Sequence, residues 1–294
     1  MANSPIGLIG CGLLGSALAE RMMAGGLPLV GFDRDLAASD RLRQLGAEPV
    51  ASAVEVARTA AAIVLCLPDS HVVVAVVDQL AAALKPGALL IDATTGDPDR
   101  TAALADRLSA SGIGYIDATI AGSSDQARRG EAVVIVGGRP ADVERAQPVL
   151  RTWSDRQFHV GPPGSGARMK LVVNLVLGLN RAVLAEGLSL AEASGIELAR
   201  ALEVLHATPA YSAAMDTKGP KMVSGDFSPV ARLAQHLKDV RLILALAERH
   251  AAHTPLSNVH EELLKRAVEL GLGEADNSAI IRAFRPARQQ HGEA

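Results

Sequence analysis

Pro5-Ile6-Gly7-Leu8-Ile9-Gly10-Cys11-Gly12-Leu13-Leu14-Gly15 is the stretch that decides the fold of this 294-residue chain. A short apolar run leads directly into G-x-G-x-x-G. A helical pattern, Leu14 to Ala24, follows until Gly25-Gly26 ends it. That strand–turn–helix context makes the glycines a dinucleotide fingerprint rather than a structural turn. Gly10 permits the tight turn, Gly12 lets the backbone approach a pyrophosphate, and Gly15 lets the helix pack against the strand. Leu13 and Leu14 open the helix whose N-terminus attracts the phosphates. Asp33 ends the next apolar run, 18 residues after Gly15, where a carboxylate takes the adenosine ribose hydroxyls. It repels a 2′-phosphate, so NAD is favoured. Arg34 beside it keeps NADP open.

Outward from this stretch, β-like runs alternate with helical ones. The strands are Leu27–Phe32, Ala62–Cys66, Ala88–Ile91, Tyr115–Asp117 and Ala132–Val136. The helices are Leu36–Leu45, Val72–Leu84, Asp99–Ala110 and Ala141–Leu150. Such alternation builds βαβ units and a mostly parallel, doubly wound sheet of Rossmann type. In such sheets ligands lie at the carboxyl ends of the strands. Leu67-Pro68, after the run 62–66, and Thr95, after the run 88–91, are therefore candidates to touch ribose and nicotinamide. Past Gly161 the β-signal fades. A long helix, Ala167–Ala193, precedes helical patterns near 197–206, 230–250, 256–270 and 276–284. The reading is an α/β chain with a dinucleotide-binding domain at 1–162 and an all-helical substrate and dimerisation domain at 163–294.

Composition narrows the class. Hydrophobic residues at 49% with 21% charged residues describe a well-buried globular protein. A net charge of −3 offers no basic field for nucleic acid. Cys11 and Cys66 are the only cysteines, without CxxC or metal spacing, so no metal site is expected and a reducing, cytoplasmic setting is. Met1 to Gly15 lacks a basic n-region and reads as strand and turn rather than a signal peptide. The run Leu171–Leu179 is too short, and too interrupted by Asn174 and Asn180, to span a membrane. The histidines at 206, 236, 250, 253 and 260 share no ligand spacing and read as surface or core residues. Arg282, Arg285 and Arg288 read as a solvated end.

The second informative segment is Gly164-Ser165-Gly166-Ala167-Arg168-Met169-Lys170-Leu171-Val172-Val173-Asn174. Lys170 and Asn174 are four apart and share one helix face. An ammonium among Leu171, Val172, Val173 and Val176 is costly to bury unless it is paired or used. Desolvation, Arg168 and the helix N-terminus all pull a lysine toward neutrality, which suits a general acid/base. Asn174 is a neutral donor able to hold a substrate. Arg181 falls on the same stripe, about 16 Å further along, and reads as an interface or interdomain residue rather than a ligand.

These motifs together resemble the β-hydroxyacid dehydrogenase family, of 3-hydroxyisobutyrate dehydrogenase and tartronate semialdehyde reductase type, over nearly the whole chain. Ile6–Gly15 resembles its nucleotide motif and Asp117–Ser124 its substrate motif. Gly164–Asn174 matches its GxGxxxKxxxN spacing. Gly225–Pro229 and Lys238-Asp239 resemble two C-terminal signatures. The resemblance implies an enzyme: an NAD(P)-dependent oxidoreductase passing hydride between nicotinamide and a small 3-hydroxy acid or its semialdehyde. It implies Lys170 as acid/base, Asn174 on the substrate, Lys238 reaching cofactor or substrate, and Thr95 beside the nicotinamide. It also implies a loop at Ala121-Gly122-Ser123 that binds the substrate carboxylate. The family usually has Ser-Gly-Gly there, and proline where this chain has Thr119. Ser123 or Ser124 would have to supply the missing hydroxyl.

Other readings on the same fold are a reductase of other small carbonyls or imines and a non-catalytic dinucleotide-binding protein. Lys170 counts against an imine reductase, and Lys170 and Asn174 together count against a non-catalytic protein. The apolar helix from Ala167 exceeds what the small helical domain can cover, so a homodimer or homotetramer is expected.

Overall fold

Strands β1 (Ile6–Ile9), β4 (Ala62–Leu65) and β5 (Leu89–Asp92) show why the sheet is buried on both faces. Along each, alternate residues enter different apolar layers. Leu8, Val64 and Ile91 face one layer, with Leu18, Met22, Leu150 and Trp153. Ile9, Ile63, Leu65 and Leu90 face the other, with Val56, Val73, Val77 and Leu104. Each fully buried aliphatic side chain contributes about 1.5–3 kcal/mol.

In the computed structural model, residues 4–285 are described. The elements are β1 (Ile6–Ile9), α1 (Leu13–Ala24), β2 (Leu29–Phe32), α2 (Leu36–Gln44), β3 (Glu48–Pro49), α3 (Ala53–Thr59), β4 (Ala62–Leu65), α4 (Ser70–Leu80), β5 (Leu89–Asp92), α5 (Pro98–Ala110), β6 (Gly114–Ala121), α6 (Ser124–Arg128), β7 (Val133–Gly138), α7 (Pro140–Trp153) and β8 (Gln157–Gly161). There follow α8 (Ser165–Ala193), α9 (Leu198–Ala207), α10 (Ala213–Ser224), α11 (Leu233–Arg249), α12 (Pro255–Glu269) and a 3-10 segment, Asn277–Phe284. The sheet order is β3-β2-β1-β4-β5-β6-β7-β8, parallel except for the β6–β7 pair. The strand order reverses between β1 and β4, the switch point at which doubly wound sheets bind ligands.

The chain divides into two compact units, 1–170 and 171–294, the division falling inside α8. In the helical unit, Leu184, Leu188, Leu237, Val240, Leu264 and Ile280 form the core. At 29 residues, α8 is long and apolar enough, by length and composition, to cross a bilayer. The run Leu171–Leu179, expected to be too short to span, is one part of this longer helix. What marks α8 as a core helix is that Lys170, Asn174 and Arg181 are buried by the chain itself, since a bilayer penalises such residues heavily.

Arg181, expected at an interface, is buried beside Asp276, Asp239 and His260. Burial pulls its guanidinium down to about 10, with Asp276 and Asp239 opposing the shift. Two tail arginines are not simply solvated. Arg282 stacks over the Phe227 ring at 5.7 Å, and Arg285 pairs with Glu192 at 2.9 Å. Arg288 lies outside the described residues.

Candidate functional site

The glycine turn is built for a close backbone approach. Gly10 has φ +95°, and a Cβ there would sit on the Cys66 carbonyl oxygen. A Cβ on Gly15 would likewise meet the Gly10 carbonyl, so helix and strand touch only because both residues lack side chains. Gly12 differs: a Cβ there would meet nothing within 4 Å. It begins α1 with no side-chain cap, and the first turn carries no acid. By contrast α2, α4 and α5 are capped by Asp35, Asp69 and Asp97. The start of α1 thus combines open space, uncapped amides and the positive end of a helix, which fits a dinucleotide pyrophosphate. Gly10, Gly12, Leu13 and Leu14 are the residues that would hold it.

Asp33 is fixed next to this turn. Its Oδ2 accepts the Cys11 N–H at 2.6 Å and its Oδ1 accepts the Asp35 N–H at 2.9 Å. Arg34 is exposed. Burial pushes the Cys11 and Cys66 thiols up to about 12. Both stay protonated near neutral pH.

The loops after β4 and β5 are laced together. The Leu67 N–H donates to Thr94 Oγ1 at 3.0 Å, and the Thr94 N–H donates to Asp92 Oδ1 at 2.9 Å. The Tyr115 hydroxyl donates to Asp92 Oδ2 at 2.6 Å. Burial still raises the Asp92 carboxyl above the usual carboxylate range, against those donors. Leu67-Pro68 and Thr95 therefore lie on loops held at the carboxyl ends of β4 and β5 by Asp92 and Tyr115. Sequence reasoning passed over both residues; the available signal was an acid closing an otherwise apolar strand.

The 121–123 loop differs from its expectation in detail. Ser123 is the N-cap of α6 in a reciprocal capping box. Its N–H donates to Gln126 Oε1 at 2.8 Å, and its Oγ accepts the Gln126 N–H at 3.1 Å. Its backbone donor is thus already committed, leaving the hydroxyl proton for a ligand. Ala121 is half-buried at the end of β6, and Gly122 is exposed.

The start of α8 is held by Asp117 of β6. Asp117 Oδ1 accepts the Gly164 N–H and Oδ2 the Ala167 N–H, both at 2.7 Å. Arg168 reaches Asp99 of α5 at 3.2 Å. Lys170 is 8% exposed and Asn174 7%. The Asn174 amide donates to Asp239 Oδ2 at 3.0 Å, and the Lys238 ammonium lies 3.4 Å from Asp239 Oδ1. Within the helical unit, then, Asp239 joins the two expected residues Asn174 and Lys238. Its importance could have been read only from the Lys238-Asp239 pair on the buried face of α11. His236 and His260 also come together, with ring centroids 5.2 Å apart against Gly178. No cluster of three metal-ligating side chains occurs among the described residues.

Comparison with known proteins bears on both units. Residues 5–161 match the family model described as the NAD binding domain of 6-phosphogluconate dehydrogenase. Residues 164–284 match that described as NAD-binding of NADP-dependent 3-hydroxyisobutyrate dehydrogenase. The chain is 29% identical to glyoxylate/succinic semialdehyde reductase 1 of Arabidopsis thaliana, over 97% of this chain and 99% of that one. It is 30% identical to 2-(hydroxymethyl)glutarate dehydrogenase of Eubacterium barkeri, over 95% and 94%. The crystal structure of 3-hydroxyisobutyrate dehydrogenase from Salmonella typhimurium superimposes with a TM-score of 0.89 at 27% identity, covering 96% of this chain and all of that one.

Proposed function

The chain belongs to the β-hydroxyacid dehydrogenase family of NAD(P)-binding oxidoreductases, and on that premise we propose that it interconverts a small 3-hydroxy acid and its semialdehyde with Lys170 as general acid/base. The observation that carries this reading is the buried Lys170 on α8, one turn before an Asn174 whose amide is oriented by Asp239. A lysine with no task is rarely buried at such a place. The names of the relatives support the substrate class: glyoxylate, succinic semialdehyde and 2-(hydroxymethyl)glutarate are small carboxylates.

The bound nicotinamide supplies or accepts the hydride at the reacting carbon. Lys170 manages the proton at the reacting oxygen. It accepts the hydroxyl proton in oxidation; in reduction its ammonium polarises the carbonyl and donates the proton. Asn174, with one amide N–H on Asp239, offers its second N–H and its carbonyl oxygen to orient the substrate without adding charge. The Ala121-Gly122-Ser123 loop would meet the carboxylate through the Ser123 hydroxyl, where the family's usual serine is absent at 121. The carboxylate of Asp33, already ordered by two amides, supports NAD over NADP. Lys238 would reach toward cofactor or substrate, and Thr95 toward the nicotinamide. Residues 1–162 would bind the dinucleotide and 163–294 serve substrate and assembly. The exposed stripe Val172, Val176, Val183 and Leu190 along α8 supports a homodimer or homotetramer. A monomer by light scattering at micromolar concentration would remove that part.

The test is a 340 nm assay of wild type and Lys170→Ala. It uses NADH and NADPH with glyoxylate, succinic semialdehyde and other semialdehydes, and the oxidised cofactors with the corresponding hydroxy acids and with 3-hydroxy acids. Turnover by wild type, with kcat at least about a hundredfold lower in the variant, is the expected result. Equal turnover by both proteins would refute the role of Lys170.

A further inference from the structure

We infer that Asp117 is a positioning residue for the Lys170 chemistry: its buried carboxylate grips the first turn of α8 and fixes the point from which Lys170 projects. This rests on the reading of Lys170 as the acid/base. The start of a helix leaves amides without intrahelical partners, normally met by a local Ser, Thr, Asp or Asn. Here Pro162-Pro163-Gly164 precedes α8 and provides no such side chain. The cap comes instead from β6, 47 residues earlier in the chain. Asp117 is 1% exposed, and each of its oxygens takes a different amide, Gly164 on one and Ala167 on the other, at 2.7 Å.

The backbone approach around this carboxylate is close enough to explain the spaced glycines that precede the lysine. A Cβ on Gly166 would lie 2.7 Å from the Gly137 nitrogen and 2.8 Å from both Asp117 Oδ2 and the Ile135 carbonyl. A Cβ on Gly137 would lie 2.6 Å from both the Gly166 nitrogen and Asp117 Oδ1. Helix α8 therefore docks backbone-to-backbone on β7, with the Asp117 carboxylate wedged between them. Thr119, on the same face of β6, has its hydroxyl 3.4 Å from the Gly166 carbonyl. Lys170 follows Ala167 by three residues, a rise of about 4.5 Å. A tilt of the gripped turn is thus carried directly to the ammonium, and catalytic geometry tolerates displacements of well under 1 Å.

The clamp also titrates. Burial outweighs the two amide donors and pushes the Asp117 carboxyl up to about 6. The ionisable groups it interacts with are Asp92 of β5 and Tyr115 of β6; the gripped helix itself carries Arg168, paired to Asp99 of α5, and Lys170. The β7 segment against it, Ile135 to Gly137, brings none. Below pH 6 one oxygen takes up a proton, which the folded clamp holds more tightly than the unfolded chain does.

The experiment compares wild type, Asp117→Asn, Asp117→Ala and Lys170→Ala in the 340 nm assay at pH 7.5, with NADH affinity measured by fluorescence. Asparagine keeps one acceptor oxygen and alanine none. Expected are a fall in kcat of about 10–100-fold in Asp117→Asn, a larger fall in Asp117→Ala, and NADH affinity and KM within about threefold of wild type, as suits a defect confined to orientation. A cap that only stabilised the fold would lower the melting temperature and leave the kcat of folded protein unchanged. An Asp117→Asn kcat within twofold of wild type, beside an inactive Lys170→Ala, overturns the positioning role. A fully active Lys170→Ala overturns the reading beneath it instead. A second measurement needs no substrate: amide exchange across residues 162–174 of wild type and Asp117→Ala at pH 7.5. Protection at Gly164 and Ala167 should drop in the variant, and unchanged protection overturns the clamp.

Discussion

Lowering the pH from 7 to 4 should loosen the helical unit through one residue, His260. Its ring is 2% exposed, 5.2 Å from that of His236, against α8 at Gly178. Its Nε2 has no hydrogen-bond partner among the described residues. Burial, and secondarily the Arg181 charge, pull its value from 6.5 down to about 4. The unfolded chain therefore binds a proton near pH 6.5 that the folded chain refuses until about 4. Stability from this group is full above 6.5, declines as the pH falls, and is lost by about 4. At ~1.36 kcal/mol per unit, a shift of this size is worth about 3 kcal/mol. For a protein of this size that corresponds to a melting temperature lower by roughly 6–12 °C. The assay is thermal unfolding of wild type and His260→Leu, with His260→Gln as a second replacement, at half-unit steps between pH 7 and 4. Asp117 acts in the opposite sense. Its raised value gives stability that is full below 3.8 and lost as the pH rises through about 6. Asp276, held down to about 2 by Lys218 and Ser278 against its own burial, keeps its contribution until the pH falls below 3.8. Both are present in every variant, so the difference between the curves isolates His260. Parallel pH dependences in wild type and both variants would refute the argument.

Replacing Asp33 by Asn should raise kcat/KM for NADPH about tenfold, the ~1.4 kcal/mol of one like-charge contact in a half-solvated setting, and a wild type already preferring NADPH would contradict the reading of its fixed carboxylate. Asn174→Ala should raise the substrate KM about tenfold, as expected for one lost hydrogen bond. Asp239→Asn should produce a smaller rise through misorientation of the same amide. Titration of substrate against each protein decides both, and an unchanged KM in Asn174→Ala would remove that residue from the site.

The doubly wound sheet was legible because its signals are local. Apolar runs ending in Gly10 or Asp33, and helices opened by Asp69 or Asp97, record strand and cap within a few residues. The short pieces were not legible. α3, α6 and β3 have too few residues for either periodicity to emerge, and β8 is too exposed to carry an apolar run. α10 was missed because Gly219 and Pro220 interrupt it, and here tertiary packing overrides propensity: Met215 and Met222 are buried in the helical core.

The same division runs through the site. Gly10, Gly12 and Gly15 needed only their spacing, since the phosphate-binding turn is made of consecutive backbone. Lys170 and Asn174 needed only helical period, which puts side chains four apart on one face. Asp117 on Gly164 and Ala167, Asp92 on Tyr115, Asp239 on Asn174, and His260 against Gly178 each join positions distant in the chain. Buried polar groups must find partners wherever the fold brings them, and a sequence carries no local mark of which partner that will be. The sequence by itself determined the elements and the chemistry they carry. The tertiary structure alone decided which carboxylate orients which donor, because hydrogen bonds of about 3 Å are set by packing and not by spacing along the chain.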